Sequence, residues 1–349
     1  MAKMIDVAHK AGVSIKTVSR VLNNEPHVKD NLREKVRAAA REVGYIPSTP
    51  ARRLRSRRSY TIHMVSHSHR SNYVNAIQFG AMQTCQEDGY QLIMSLMDDL
   101  RDLSEEALKA RFGKLIETTR PDGLILVPPL SNDERLFDVL NAFDVPVARV
   151  GPNDIPAAQI IVKIDERAAA RELTSHLVEL GHRRIAFVRG KEDQNATHER
   201  FAGYSDALAA AGISLDASLV MPGDFNFESG LEAGHALLAR ADRPTAVFAA
   251  NDDMAAGVLM AAHRMGLEIP RDVSIVGFDD SELAEKMWPA LTTVRQPLLE
   301  LGRHAARQII DAATRKGPAT GPENGGRPDA CLDYTIIHRD STGPAPGSK

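Results

Sequence analysis

Apolar residues fall into three short helical stripes at the start of the chain, then into a long alternation of strand-like and helix-like runs. Ile5, Val7, Ala8 and Ala11 share one face of a short helix that stops at Gly12, a residue suited to the left-handed turn conformation. Ser14 is an N-cap for a second helix over Ile15–Leu22, and Asn23-Asn24-Glu25-Pro26 ends that helix with turn formers and a proline. A third helix spans Asp30–Val43, with Leu32, Val36, Ala39, Ala40 and Val43 spaced for burial and Gly44 as its stop. Beyond residue 59, the runs Thr61–Val65, Gln91–Leu96, Gly123–Val127 and Pro146–Val150 read as strands, with helices over Asn75–Glu87 and Ser104–Glu117. A second series sets Ile160–Ile164, Arg184–Val188, Ser218–Met221, Ala246–Ala250 and Val273–Phe278 against helices over Glu166–Leu180, Glu199–Ala211, Glu228–Ala239 and Asp252–Met265. This pattern predicts an all-α headpiece followed by a core of two α/β lobes with parallel sheets. A late strand-helix unit at Leu291–Arg315 implies that the chain crosses between the lobes more than once, and Cys331–His338 reads as a final strand.

A helix, a tight turn at a glycine, a second helix and a supporting third helix form a helix-turn-helix, whose second helix enters the DNA major groove. Ile15, Lys16 and Arg20 are then the candidates to read bases: Arg20 and Lys16 toward guanine O6 and N7, Ile15 against a thymine methyl. Thr17, Ser19, Asn23 and His27 carry donors suited to phosphate oxygens. Any three-helix bundle produces a similar pattern, so charge adds a separate clue. The net charge of −3 over 349 residues conceals an asymmetry, with 14 Lys and Arg against 5 Asp and Glu in residues 1–58 and 29 against 41 in the remainder. A basic arm on an acidic body suits a polyanion at one end only; a solvated basic helix face is the plainer reading of the same charges.

With 43% hydrophobic residues the chain can fill two or more cores. No run of about 18 apolar residues appears, and the N-terminal stretch lacks the apolar segment of a secretory signal, so a cytoplasmic protein without membrane contact is expected. Cys85 and Cys331 form no metal-ligand spacing and read as core thiols. His63, His67 and His69 alternate after the first strand, but no nearby Cys or carboxylate completes a metal site, and no metal or cofactor is expected. Dinucleotide, P-loop and nucleophile-elbow motifs are all lacking, which argues against an enzyme.

Ile5-Asp6-Val7-Ala8, Ala11-Gly12-Val13-Ser14, Thr17-Val18-Ser19-Arg20-Val21-Leu22-Asn23 and Gly44-Tyr45-Ile46-Pro47 together closely resemble the headpiece of LacI/GalR transcriptional regulators. One departure is Lys29, where the family usually carries a Ser or Thr cap; Asp30 is the alternative cap. The resemblance implies a DNA-binding headpiece over 1–46 and a hinge over 47–58 that folds on operator DNA, with Ala51 and Leu54 as contacts and Leu54 as an apolar wedge in the minor groove. It implies a two-lobed core over 59–340 resembling periplasmic sugar-binding proteins. The N-lobe takes about 60–162 and 293–318, and the C-lobe about 163–292 and 319–340. The polar residues 341–349 read as a disordered tail.

Ligands of such folds bind at the carboxyl ends of strands, between lobes. Asn251 and Asp279 end two strands, Arg200 opens a helix, and Phe225 lies in a loop where the family often places an aromatic. Asp279 can accept two vicinal hydroxyl hydrogens, Asn251 can donate and accept, Arg200 adds donors and Phe225 can stack on a pyranose face. Taken singly, Asn251 and Asp279 are also ordinary helix caps, and Arg200 an internal ion-pair partner. Their joint placement favours a polyol, a mono- or oligosaccharide. His67, Tyr73, His198 and Gln296 occupy further positions that the resemblance assigns to the cleft. The expectation is a homodimeric repressor on a near-palindromic operator, its DNA affinity set by a bound sugar. A sugar-binding protein or a sugar-acting α/β enzyme without gene control is the alternative.

Overall fold

The computed structural model describes residues 2–22, 28–45, 58–67, 72–97, 100, 102–152, 160–314 and 330–347. It divides into two compact units, residues 1–60 and 61–349.

In the first unit, α1 (Met4–Ala11), α2 (Ile15–Leu22) and α3 (Asp30–Glu42) close around Val7, Ala8, Ala11, Val18, Val21, Val36, Ala39 and Ala40. Gly12 ends α1 at φ 61°, and the next residue, Val13, returns its N–H to the Ala8 carbonyl at 3.0 Å. Ser14 Oγ then accepts the Thr17 N–H at 3.1 Å, so the turn and the cap that the sequence predicts both form. Two local expectations fail. Ile5 is 45% exposed, because α1 turns only its Val7–Ala8–Ala11 edge inward. Asp30 is the first helical residue of α3, and Lys29 holds the cap position with no side-chain bond.

The body holds two parallel sheets. In the first lobe, β1 (Thr61–Ser66), β2 (Gln91–Leu96), β3 (Gly123–Leu126), β4 (Val147–Val150), β5 (Ile160–Ile164) and β11 (Ala330–Leu332) form a sheet of order β11-β5-β4-β3-β1-β2. Here α4 (Asn72–Glu87) follows β1. One face is covered by α5 (Glu105–Thr119) and α6 (Arg135–Asn141), packed on Val65, Leu124, Leu126 and Val147. On the other face α12 (Leu298–Thr314) brings Ile309 against Gly123. It crosses α4 closely, since a Cβ on Gly80 would sit 1.9 Å from the Leu299 carbonyl and one on Gly302 2.0 Å from that of Ile77.

In the second lobe, β6 (Ile185–Val188), β7 (Val220–Met221), β8 (Ala246–Ala249) and β9 (Ser274–Val276) run in the order β7-β6-β8-β9. The helix pairs α7 (Glu166–Glu179) with α8 (Asn195–Ala210), and α9 (Phe227–Leu238) with α10 (Asp252–Arg264), pack around it. Phe187, Phe248, Phe278 and Tyr204 are fully buried there, and the Tyr204 hydroxyl donates to the Ile185 carbonyl at 2.8 Å.

The chain crosses between the lobes three times among the described residues, after β5, after β10 (Thr293–Arg295) and between β11 and β12 (Thr335–Ile337). The crossings correct the expected lobe limits. β10 pairs antiparallel with β12, and Val294 joins the second lobe's core, so that lobe keeps the chain to residue 295. Residues 330–332, expected in the second lobe, pair with β5 at the edge of the first sheet. Cys331 on that edge strand is exposed, and only Cys85 is a core thiol, its pKa pushed up to about 12 by burial and by Asp88.

The expected disordered tail is ordered through Gly347. Ser341 is fully buried, donating from Oγ to the Ile275 carbonyl at 2.6 Å and accepting from the Thr292 N–H at 2.8 Å. Gly343 donates to Ser274 Oγ, its carbonyl meets His182 Nε2 at 3.1 Å, and Ala345 donates to the Leu180 carbonyl. Polar composition misleads here because backbone groups and the Ser341 hydroxyl, with only the small Ala345 side chain buried beside them, dock the segment.

Candidate ligand cleft and nucleic-acid interface

α2 presents a polar, solvent-facing strip opposite Val18 and Val21. Ile15 is 44% exposed and Lys16 is exposed, with Thr17, Ser19 and Arg20 half-buried beside them. An Ile at the open end of a helix has no core to fill, and its apolar surface is available for a thymine methyl. Asn23, His27, Ala51 and Leu54, with the hinge, lie outside the described residues.

A cavity of about 940 Å³ opens between the lobes of the body. Its wall is built where strands end, from Ser66 at the end of β1 and His67 after it, Pro128 and Pro129 after β3, and Gly151 after β4. The second lobe adds Phe225 after β7, Asn251 after β8 and Asp279 after β9. Parallel strands leave their carboxyl ends at one edge, and loops there supply side chains from many parts of the sequence. His67, Tyr73, Arg200, Phe225, Asn251 and Asp279 therefore meet in one cavity, although up to 212 positions separate them.

Arg200 on α8 is the electrostatic centre of the wall. Its Nε and Nη2 donate to Glu166 at 2.7 and 3.2 Å, Nη1 donates to the Ala250 carbonyl, and Nη1 lies 3.7 Å from Asp279 Oδ1. The guanidinium carbon sits 3.7 Å from the centroid of the Phe278 ring, a cation–π contact. Burial works against the charge of Arg200, but Glu166 and then Asp279 more than offset it. Asp279 behaves oppositely. Burial raises its pKa well above the carboxylate range, Arg200 pulls it back, and the neighbouring Asp252 raises it further. Asp252 is raised for the same first reason, burial, against bonds from Thr293 Oγ1 at 2.6 Å and the Ser281 N–H at 2.7 Å. Two carboxylates, Glu166 and Asp279, thus share one guanidinium, and the charge of Asp252 bears on Asp279.

The plain readings of Asn251 and Arg200 are also realised, whereas Asp279 caps no helix, since Ser281 holds the cap position before Glu282–Lys286. Asn251 caps α10 by accepting the Met254 N–H at 3.0 Å, while its Nδ2 donates to the Phe225 carbonyl at 3.1 Å. That second bond helps hold Phe225 at φ 57°, where its ring covers Gly190 so closely that a Cβ there would come within 1.9 Å. Arg200 is an internal ion-pair partner and a wall residue at once. Tyr73 reaches the cavity from the first turn of α4, its phenol held protonated by burial and by Glu166.

Two expected cleft residues do not line the cavity. His198 turns back to the Glu192 carbonyl at 2.8 Å and braces its own loop. Gln296 sits behind Asp279 and donates to its Oδ1 at 2.7 Å, so it orients a wall residue instead of facing the space. His63 is buried in β1 with Nδ1 2.9 Å from Ser95 Oγ. Sequence reasoning missed Glu166, which follows the first crossing from β5; its signal is an acidic pair, Asp165-Glu166, in which Asp165 caps α7 and Glu166 turns to Arg200.

Comparison with known proteins follows the same division of the chain. Residues 3–48 match the model of bacterial regulatory proteins of the lacI family, and residues 174–342 match the periplasmic binding protein-like domain. The HTH-type transcriptional regulator CelR of Thermobifida fusca is 37% identical over 323 residues, covering 90% of this chain and 92% of that protein. Among solved structures, a CelR–cellobiose complex superposes with a TM-score of 0.72 at 34% identity, covering 98% of this chain and all of the other. A lac repressor dimer bound to operator and the anti-inducer ONPF superposes with a TM-score of 0.75 at 30% identity, covering 98% and 99%.

Proposed function

The chain belongs to the lacI family of bacterial regulatory proteins, a DNA-binding transcriptional regulator and not an enzyme, and from that premise we propose that it is a homodimeric repressor whose operator affinity is set by a sugar in the cleft. The observation that carries the sugar is the wall of Asp279, Arg200, Asn251 and Phe225, carboxylate and amide groups beside an aromatic face. The CelR–cellobiose likeness supports it. In this proposal Ile15, Lys16 and Arg20 read bases, and Thr17, Ser19, Asn23 and His27 hold phosphates. Ala51 and Leu54 act from a hinge over 47–58 between a headpiece over 1–46 and the effector-binding core. A dimer places two headpieces on one operator. Exposed apolar side chains on the body favour it, with Trp288 at 83% exposure and Leu96 on the edge strand β2. A cytoplasmic site of action follows from the DNA partner, and among the described residues no helix is long and apolar enough to cross a membrane.

The test is operator binding by fluorescence anisotropy on the full chain, with and without cellobiose and other neutral sugars. Asp279→Ala is expected to abolish the sugar response while leaving ligand-free DNA binding intact, and retention of the full response refutes the assignment. Arg20→Ala is expected to weaken specific binding by about 1–3 kcal/mol and to relax base preference at one position. Equal losses on specific and random DNA would instead make Arg20 a phosphate contact.

The pH profile of sugar affinity checks Asp279 separately. A hydroxyl donor binds the ionised carboxylate, so a proton held by Asp279 must leave first. Because burial raises that pKa, affinity is expected to grow as pH rises through the neutral range and to level off above it. An ordinary Asp, titrating near about 4, would give a flat profile there. Asp279→Asn is expected to remove the slope; a slope of equal size in the variant assigns it elsewhere.

A further inference from the structure

We propose that the cleft accepts an uncharged polyhydroxy ligand and excludes phosphorylated, sulfated and carboxylated ones. The proposal rests on the effector reading above and adds the charge class of the ligand. Carboxylates of Glu166, Asp224, Asp253, Asp279, Asp280 and Glu282 line the cavity; among the described residues Lys191 and Arg200 are the Lys and Arg of its wall. Both cations are engaged. Arg200 gives two bonds to Glu166 and a third to the Ala250 carbonyl beside Asp279, and Lys191 Nζ lies 3.2 Å from Asp224 Oδ1. The cations that meet Asp280, Arg295 and Arg339, approach it from outside the cavity wall.

Anion sites in parallel α/β folds ordinarily use helix N-termini, whose backbone N–H groups and dipole attract a phosphate. Here three of those ends carry the chain's own acids, whereas the first turns of α4 and α8, which also line the cavity, carry none. The first turn of α7 carries Glu166, that of α10 carries Asp252 and Asp253, and that of α11 (Glu282–Lys286) carries Glu282 and Glu285. Asn251 fills the α10 cap with its own Oδ1. A neutral sugar can donate hydroxyls to these carboxylates, whereas a phosphate at any of these three ends must displace a paired acid or lie against one. Juxtaposed like charges of this kind discriminate between ligands of the same shape.

The experiment is calorimetric titration and melting of the full chain at constant ionic strength. The probes are glucose, ribose and cellobiose, with glucose 6-phosphate, ribose 5-phosphate and glucuronate as charged counterparts. The expected result is that a neutral probe binds and its charged counterpart binds roughly 100-fold more weakly. Asp224→Lys, which frees Lys191 and adds a cation beside it, is expected to narrow that gap about tenfold. A charged probe binding as tightly as its neutral counterpart, or inorganic phosphate alone raising the melting temperature, overturns the charge class while leaving a ligand cleft in place. If no probe changes the melting at millimolar concentration, the sugar reading itself falls, and this inference with it.

Discussion

Replacing Arg200 with methionine is expected to destabilise the body by about 3–5 kcal/mol and to eliminate its ligand response in the same step. The guanidinium is buried and the carboxylates it serves are largely covered, at 11% and 15% side-chain exposure; Glu166 takes two of its donors while Asp279 stands 3.7 Å away. Methionine fills much of the same volume but leaves the Ala250 carbonyl without its donor and Glu166 without its compensating charge. Glu166→Gln alone removes one of the two carboxylates beside the cation and is expected to cost far less. The double variant Glu166→Gln/Arg200→Met should recover part of the loss, because the charge stranded by the single change is gone. Urea unfolding of the four proteins measures the coupling. An Arg200→Met body as stable as the parent would show that the centre of the wall bears no structural weight.

Deleting residues 341–349 is expected to lower stability by at least about 3 kcal/mol, since several buried polar groups lose partners and each costs about 1–3 kcal/mol. Ser341 satisfies the Thr292 N–H and the Ile275 carbonyl, Gly343 bonds to Ser274 and His182, and Ala345 satisfies the Leu180 carbonyl. Composition alone predicts no effect, because a polar Gly- and Pro-containing terminus ordinarily trims without loss. Melting of the truncated chain decides between the two. Ser341→Ala isolates the largest single contribution, and a truncation that melts with the full chain would return the segment to the status of a tail.

The contrast defines what the sequence can carry. Gln91–Leu96 and Ile160–Ile164 are strands with the predicted limits, and α2 has its predicted limits, because in each case an apolar run is bounded by turn chemistry or a cap. Arg135–Asn141 and Glu282–Lys286 escaped notice because helices of one or two turns are too short for a 3.6-residue period to register. Cys331–His338 read as one strand and is two, β11 and β12 in different sheets, since pattern alone is blind to a change of partner. Of the cleft, Asn251 and Asp279 were legible as polar residues at strand ends, Phe225 as an aromatic in a loop and Arg200 as a cation near the start of a helix. Glu166 was hidden as one acid among many on helix faces, and Gln296 and His198 were misjudged because sequence position reports proximity to a loop and not the direction of a side chain. The strain at Asp279, φ 120° in a residue other than glycine, has no sequence signature.

The pairing of β11 with β5 has a consequence in time. Ala330 lies beside Val162 and Leu332 beside Ile164, so the first sheet is completed by residues synthesised long after its other five strands. α12, which covers that sheet through Ile309, is also a late arrival. Until both emerge from the ribosome, β5 offers an open edge and the helix-facing side of the first lobe stays wet. Such non-local closure slows folding and lengthens the exposure of sticky surface. Nascent chains arrested before residue 298 should therefore hold a protease-sensitive first lobe, even though most of its sequence has already been made.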